Sequence, residues 1–258
     1  MAKGNLSSPA PGLRADEWTS LRELTHARLA LGRAGTSLPT AAHLTFQRDH
    51  ALARDAVMTT FDSQAIARAL TVHGIESVTV SSQAPDRSTY LQRPDLGRQL
   101  HLPDKEQLPP SNPDVVVVIG DGLSALAAHR HAVPMAAGLH QALTSRQLRM
   151  ARVVIARGAR VALSDDIGGL LGARLAIILL GERPGLSSPD SLGAYLTWNP
   201  KRGRTDAQRN CVSNIRPEGG LPYEAAVHKL VYLSLQACHL GLSGVQLKDN
   251  SASIALLK

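Results

Sequence analysis

Three short segments carry the residue types that chemistry needs. Gly120-Asp121-Gly122-Leu123-Ser124-Ala125 fits the pattern G-x-G-x-x-[GA] and follows an unbroken β-branched run, Asp114 to Ile119. Glycines there permit a tight turn and close approach of a ligand to the backbone. The helix expected next would add free N–H groups and a positive dipole end. A dinucleotide site also wants a carboxylate about 20 residues further on, and the stretch from Gln141 to Met150 holds none. The turn is therefore expected more firmly than a nicotinamide or flavin cofactor, and a plain strand-to-helix turn accounts for the pattern equally well.

The second segment, Gly181 to Gly193 (GERPGLSSPDSLG), opens at the carboxyl end of another apolar run, Arg174 to Leu180. Open α/β sheets place their ligands at such ends. Pro184 and Pro189 stiffen the loop, and Ser187, Ser188 and Ser191 supply hydroxyls. Glu182 can accept hydrogen bonds from a ligand hydroxyl or amide; taken alone, it is better explained by a salt bridge with Arg183 or another arginine. The third segment, Arg209 to Gly220 (RNCVSNIRPEGG), groups two amides, a thiol and two guanidinium groups. A nucleophilic Cys211 would need a base or a lowered pKa. His228 is the nearest histidine in the sequence, and nothing there brings it to Cys211. A small buried or ligand-facing thiol is the expectation. His129 and His131, two residues apart, point in different directions and make no joint metal site. Asp165-Asp166 is expected to cap a helix and not to act as an acid–base pair. No catalytic residue and no metal set is expected from this chain.

The elements that must position these segments follow from periodicity. Leu21, Leu24, Leu29 and Leu31 predict a helix over 16–33, closed by Gly32 and Gly35. Further helices are expected over about 40–60 and 62–70, the latter capped by Asp62 or Ser63, and a strand over 77–81 (SVTVS). The Pro-, Asp- and Arg-rich stretch 84–113 reads as surface loops whose composition is too specific for a linker. Then come the strand DVVVVI, helices over 124–131 and 133–143, strands over 152–157 and 161–163, a helix over 167–171, the strand RLAIILL and a last helix over 223–240. This alternation predicts an α/β fold with a Rossmann-like, mostly parallel sheet flanked by helices and preceded by an N-terminal helical region. The expected division is a flexible arm over 1–15, a helical region with a long loop over 16–110 and a Rossmann-like domain over 111–258.

Composition narrows the function classes. The chain has 258 residues, 43% hydrophobic and 19% charged, as expected of a globular protein with a sizeable core. Aromatic residues make up only 3%, which disfavours the stacking platforms used to bind single-stranded nucleic acid. The net charge of +7 is spread along the chain with no basic block, so nucleic acid is not an expected partner. No apolar run reaches the length of a membrane span, and two cysteines suit a reducing, cytoplasmic compartment.

Taken together, these segments resemble the small (light) subunit of ethanolamine ammonia-lyase. The strings that carry the resemblance are APDRSTYLQRPDLGRQL (84–100), DGLSA (121–125), VALSDDIGGLLGAR (161–174), GERPGLSSPDSLG (181–193), RTDAQRNCVSN (204–214) and LSGVQLKD (242–249). They run in order over nearly all of the chain from about residue 45, with the N-terminal arm outside the match. The resemblance implies a carbon–nitrogen lyase that uses adenosylcobalamin and a radical mechanism to convert ethanolamine to acetaldehyde and ammonia. It implies a large subunit, a TIM barrel that holds the substrate, in a large hetero-oligomer associated with a bacterial microcompartment and its shell. It implies Val161, Glu182 and Cys211 as cobalamin contacts; Gly120, Asp121, Gly122 and Ser124 are added from the glycine turn. The family's cofactor keeps its own base on cobalt, in keeping with the lack of an Asp-x-His-x-x-Gly pattern here. Two other readings, an NAD(P)-dependent oxidoreductase and a non-enzymatic basic scaffold protein, leave the strings at 181–193 and 209–214 unaccounted for.

Overall fold

A computed structural model describes residues 13–14, 16–25 and 27–251. Most of the arm expected over 1–15 lies outside these residues. The chain divides into two compact units, Met1–Arg54 and Asp55–Lys258. In the first, β1 (Leu13–Arg14) pairs antiparallel with β2 (Arg33–Ala34), and a 3₁₀ helix spans Glu17–Glu23. The helix expected over 16–33 therefore stops early. Ala30 and Gly32 take left-handed φ values of 51° and 79°, which a right-handed helix cannot hold. Arg22 instead donates to the carbonyls of Leu29 and Ala30. α1 (Thr40–Met58) begins in this unit, with Leu44, Phe46 and Leu52 exposed.

The second unit is built on one six-stranded sheet. In chain order its elements are α2 (Ser63–Val72), β3 (Ser77–Ser81), α3 (Arg87–Gln92), β4 (Val115–Gly120), α4 (Ala125–Ala127), α5 (Val133–Thr144), β5 (Val153–Arg157), α6 (Leu163–Leu171), β6 (Leu175–Gly181), β7 (Leu192–Trp198), β8 (Arg209–Ile215) and α7 (Tyr223–Leu240). The strand order is β3-β5-β4-β6-β7-β8. The first four strands are parallel, and β7 and β8 extend the sheet antiparallel. The fold is thus α/β with a mostly parallel but mixed sheet, so Rossmann-like describes it only loosely.

Period-two alternation divides each central strand between two cores. Val115, Val117 and Ile119 of β4 pack with Leu175, Ile177 and Leu179 of β6 under α2, α5 and α7. Val116 and Val118 pack with Ala176, Ile178 and Leu180 against Leu163, Ile167 and Leu171 of α6. The stretch 84–113 does more than cross the surface. It forms α3 and two 3₁₀ turns, and it buries Tyr90, Leu100 and Leu108 on the α6 side.

Several local expectations change. The two helices expected over 124–131 and 133–143 are one continuous helix, α4 to α5, joined through a π-turn at Ala128–Ala132. Pro134 has no N–H to donate into the preceding turn, which suits the wider winding there. Residues 161–163 are not a strand. The Leu163 N–H bonds the Arg160 carbonyl at 2.9 Å and Ser164 Oγ bonds the Val161 carbonyl at 2.8 Å, so the chain is already turning into α6. β7 and β8 are not among the elements expected from periodicity. β8 closes the sheet, and both ends of its free edge are covered. The Asn210 amide bonds the carbonyls of Gly244 and Leu247 at 3.2 and 2.9 Å, and the Asn214 carbonyl accepts from the Leu221 N–H at 2.7 Å.

Candidate functional site

Glu182 is the first residue beyond β6, at the carboxyl end of the parallel strands. Its carboxylate accepts from Ser191 Oγ, from Ser213 Oγ and, at 3.1 Å, from the Asn214 N–H. No arginine pairs with it among the described residues. The close approach depends on Gly193, where a Cβ would lie 2.9 Å from Oε1. Glu182 thereby ties the 181–193 loop to the end of β8. Asn214 holds a φ of 57°, a left-handed turn that brings its N–H to the carboxylate.

Cys211 is exposed and lies opposite Tyr195 across the β7–β8 ladder. Lost hydration of the sulfur, followed by the Glu182 charge, pushes its thiol above the ordinary range. A thiol so placed stays protonated at neutral pH and is a weak donor, not a nucleophile. Its neighbour Val212 packs in the core under α7, so Cys211 faces the opposite side of the sheet. His228 lines a groove between α5 and α7, on the side away from the thiol, and the two do not meet. Tyr195, which the sequence did not single out, is the link between these groups. Burial raises its hydroxyl pKa, and the Cys211 thiolate that forms at alkaline pH, with Glu182 and Asp206, pushes it further in the same direction.

Val161 is half-buried in a cavity of about 430 Å³ that it shares with Asp206 and several arginines. Tyr195 is therefore within electrostatic reach of both the Glu182 cluster and this cavity. Val161 and Glu182 come from two different connections and Cys211 from β8, yet they belong to one side of the sheet, the side covered by α6.

The glycine turn is placed differently. Asp121, Gly122 and Ser124 are all enclosed, and the loop that returns from β6 occupies the space above them. The Leu123 N–H bonds the Gly181 carbonyl at 2.9 Å, and Ser124 Oγ bonds the Pro189 carbonyl at 2.9 Å. Gly122 has a φ of 56°, and a Cβ there would meet the Gly181 carbonyl at 2.2 Å. The fingerprint is accounted for by the chain packing on itself. β5 ends in Arg157, so no carboxylate stands where a ribose would want one. These observations remove the support for a nicotinamide site.

Asp121 follows β4 at its carboxyl end, beside the segment that leaves the paired strand β5. It accepts from the Ala159 N–H at 2.9 Å and faces Arg87 at 3.4 Å. Burial pushes its carboxyl up to about 6 from the usual 3.8, against the pull of Ala159 and Arg87. The folded chain therefore holds this proton more tightly than the unfolded chain does. Its contribution to stability is present at acid pH and is lost as pH rises through about 4 to 6. Between about pH 4.5 and about pH 7.5, urea unfolding should show the wild type losing about 2 kcal/mol more than Asp121→Asn. Parallel pH profiles would mean that Asp121 titrates as an ordinary surface carboxylate.

Asp165 and Asp166 lie in the first turn of α6, but neither caps it; the capping position is Ala162. Each is held by an arginine instead. Asp165 takes two bonds from Arg209 at 2.7 and 2.6 Å, and Asp166 takes two from Arg202 at 2.5 and 2.6 Å. Among the described residues, no group of three or more His, Cys, Asp or Glu side chains is arranged to hold a metal ion, and no helix is long and apolar enough to cross a membrane.

Residues 15–248 match the family described as ethanolamine ammonia-lyase light chain (EutC). Relatives from Pseudomonas fluorescens strain Pf0-1 and Azotobacter vinelandii strain DJ, each named ethanolamine ammonia-lyase small subunit, are 52% identical over 240 residues. The aligned stretch covers 91% of this chain and 87% and 88% of theirs. A protein of the same name from Ralstonia nicotianae strain GMI1000 is 51% identical over 247 residues, covering 93% of this chain and 91% of its own.

Proposed function

This chain belongs to the ethanolamine ammonia-lyase light-chain family, the small subunit of a carbon–nitrogen lyase, and we propose that it forms one wall of an adenosylcobalamin site shared with the large subunit. The observation that carries this reading is the cluster of Glu182, Cys211 and Tyr195 on the α6 side of the sheet. Cobalamin presents neutral amide arms around a flat macrocycle, and such a ligand suits neutral donors, one oriented carboxylate and small residues. The cluster offers these: a protonated thiol, the Asn214 side-chain amide and a carboxylate whose position three internal donors fix. When bound, adenosylcobalamin supplies the radical chemistry that takes ethanolamine to acetaldehyde and ammonia.

In this reading the chain's own residues bind and orient. Glu182 accepts from an amide arm through its remaining lone pair, Cys211 donates weakly or packs, and Val161 presents an apolar surface to the ligand. The turn at Gly120, Asp121, Gly122 and Ser124 acts from behind, by holding the 181–193 loop in place. No residue of this chain moves a proton in the reaction. The large subunit, a TIM barrel in this proposal, holds the substrate. Leu44 and Leu52, eight residues apart and so on one face of α1, are exposed apolar residues of the kind that a partner chain covers. The proposal extends to a large hetero-oligomer in the cytoplasm, docked in a bacterial microcompartment.

The direct test mixes this chain with the large subunit, adenosylcobalamin and ethanolamine, and omits each component in turn. Acetaldehyde should form only from the complete mixture. Activity without this chain, or none from folded and associated subunits, overturns the reading. A sharper test is Glu182→Ala. Losing an acceptor shared by three donors should weaken cobalamin retention by the assembled complex about tenfold while leaving subunit association intact. Unchanged retention would remove Glu182 from the site.

A further inference from the structure

The cavity beside Val161 has a charge pattern that the cluster around Glu182 lacks. Arg98, Arg160, Arg204 and Arg209 all line it, against one carboxylate, Asp206, on its exposed rim. Asp165 neutralises Arg209 from behind. The other three arginines make no ion pair among the described residues. Arg160 spends its guanidinium on the Tyr90 carbonyl at 3.0 Å and on the Tyr90 ring at 4.2 Å, neither of which cancels its charge. The Arg204 guanidinium bonds the Asn199 carbonyl, at 3.0 Å.

The donors are also incompletely used. The Nε groups of Arg160 and Arg209 are enclosed and have no hydrogen-bond partner. Asp206 stands 3.5 Å from the second of them, an ion-pair distance without a hydrogen bond. Buried guanidinium N–H groups without acceptors are costly unless an anion completes them. Arginine's planar fork suits the tetrahedral oxygens of a phosphoryl group.

We propose that this cavity is a phosphoryl-binding site. Resting on the function proposed above, its occupant is the phosphodiester that links the cobalamin macrocycle to its nucleotide base. Val161 then marks where the apolar part of the ligand gives way to its single negative charge. The site would thus distinguish a complete cobalamin from one that lacks its nucleotide.

Two arms test this, using Arg98→Gln and Arg204→Gln singly and together. Both side chains lie at the cavity rim and bear little of the fold, and thermal melts confirm that the variants are folded. In the first arm the full chain is titrated with inorganic phosphate and followed by ³¹P line broadening. The wild type should saturate and the double variant should not. In the second arm the chain, assembled with its large subunit, binds either cyanocobalamin or cobinamide, which keeps the macrocycle and amide arms but lacks the phosphodiester, ribose and base. The double variant should lose about 10- to 100-fold in affinity for cyanocobalamin, as expected for charge-assisted bonds, and nothing for cobinamide.

Equal losses for both ligands, or none for either, overturn the assignment of the cofactor's phosphodiester. Saturable phosphate binding combined with an unchanged cyanocobalamin affinity identifies free phosphate as the occupant and also overturns it. Absence of phosphate binding by the wild type overturns the phosphoryl site itself. A wild-type complex that binds no cobalamin refutes the proposed function, and the first arm then still decides the phosphoryl site.

Discussion

Arg209→Leu should destabilise the chain by about 3–5 kcal/mol at neutral pH, because it leaves a buried carboxylate without its counter-charge. The side chains of Arg209 and Asp165 are 3% and 2% exposed, so water cannot replace the lost guanidinium. Arg209 also donates to Thr197 Oγ1 and to the Arg204 carbonyl, both at 2.9 Å, and those acceptors are orphaned as well. Burial already raises the Asp165 pKa, with Arg209 holding it down; removing Arg209 raises it further. The variant's folded state then binds a proton more tightly than its unfolded state, so its deficit should shrink as pH falls toward about 4.5. The double variant Arg209→Leu with Asp165→Leu should recover more than half of the loss, since an apolar pair can replace a buried ion pair. Urea unfolding of the three proteins at both pH values measures this. A single-variant loss under about 1 kcal/mol would show that the pair is not closed off from solvent.

Gly181→Ala should be at least as severe, at about 3 kcal/mol or more, and is expected to reduce the yield of folded protein. A Cβ at Gly181 would stand 2.0 Å from the Ser124 carbonyl oxygen and 2.6 Å from that of Asp121. Both are main-chain atoms at the end of β4, so no rotamer can relieve the overlap and the turn itself must move. The informative control is Gly169→Ala, in the exposed face of α6. Its nearest contact would be the Pro200 carbonyl at 3.4 Å, an ordinary distance. That change should stabilise the chain by about 0.5–1 kcal/mol through helix propensity. If thermal melts show the same shift for both alanines, close packing of the 181–193 loop on the β4 turn is not what the glycine serves.

The contrast between those glycines shows what could be read from the sequence. VVVVIG and LAIILLG stand out because a strand buried on both faces needs no polar residue, and their continuous apolar runs report that directly. β7, LGAYLTW, gave no such run. Gly193 is small so that Glu182 can cross it, and Tyr195 and Thr197 serve the Cys211 thiol and the Arg209 guanidinium. β8, RNCVSNI, is an edge strand whose buried residues, Arg209, Val212 and Ile215, fall three apart, so no period-two alternation shows. Glu182 is legible as a strand-end acceptor, but two of its three donors arrive from Ser213 and Asn214, across a hairpin that local pattern cannot announce. Asp165 and Asp166 suit a helix cap by local pattern for the same reason: the arginine that holds Asp165 lies 44 residues away. The glycine turn was located correctly, while the atoms that fill it belong to a loop some 60 residues later in the chain.

The covered edge of β8 bears on the life of this polypeptide before it meets a partner. A sheet edge with free main-chain groups is a template on which further copies can stack. Here the Asn210 amide closes one end and the Leu221 N–H the other, which leaves only 211–213 between them. Three residues are at the short end of strand lengths, which are most often about five or six. On this edge, therefore, a further copy finds little main chain to stack on.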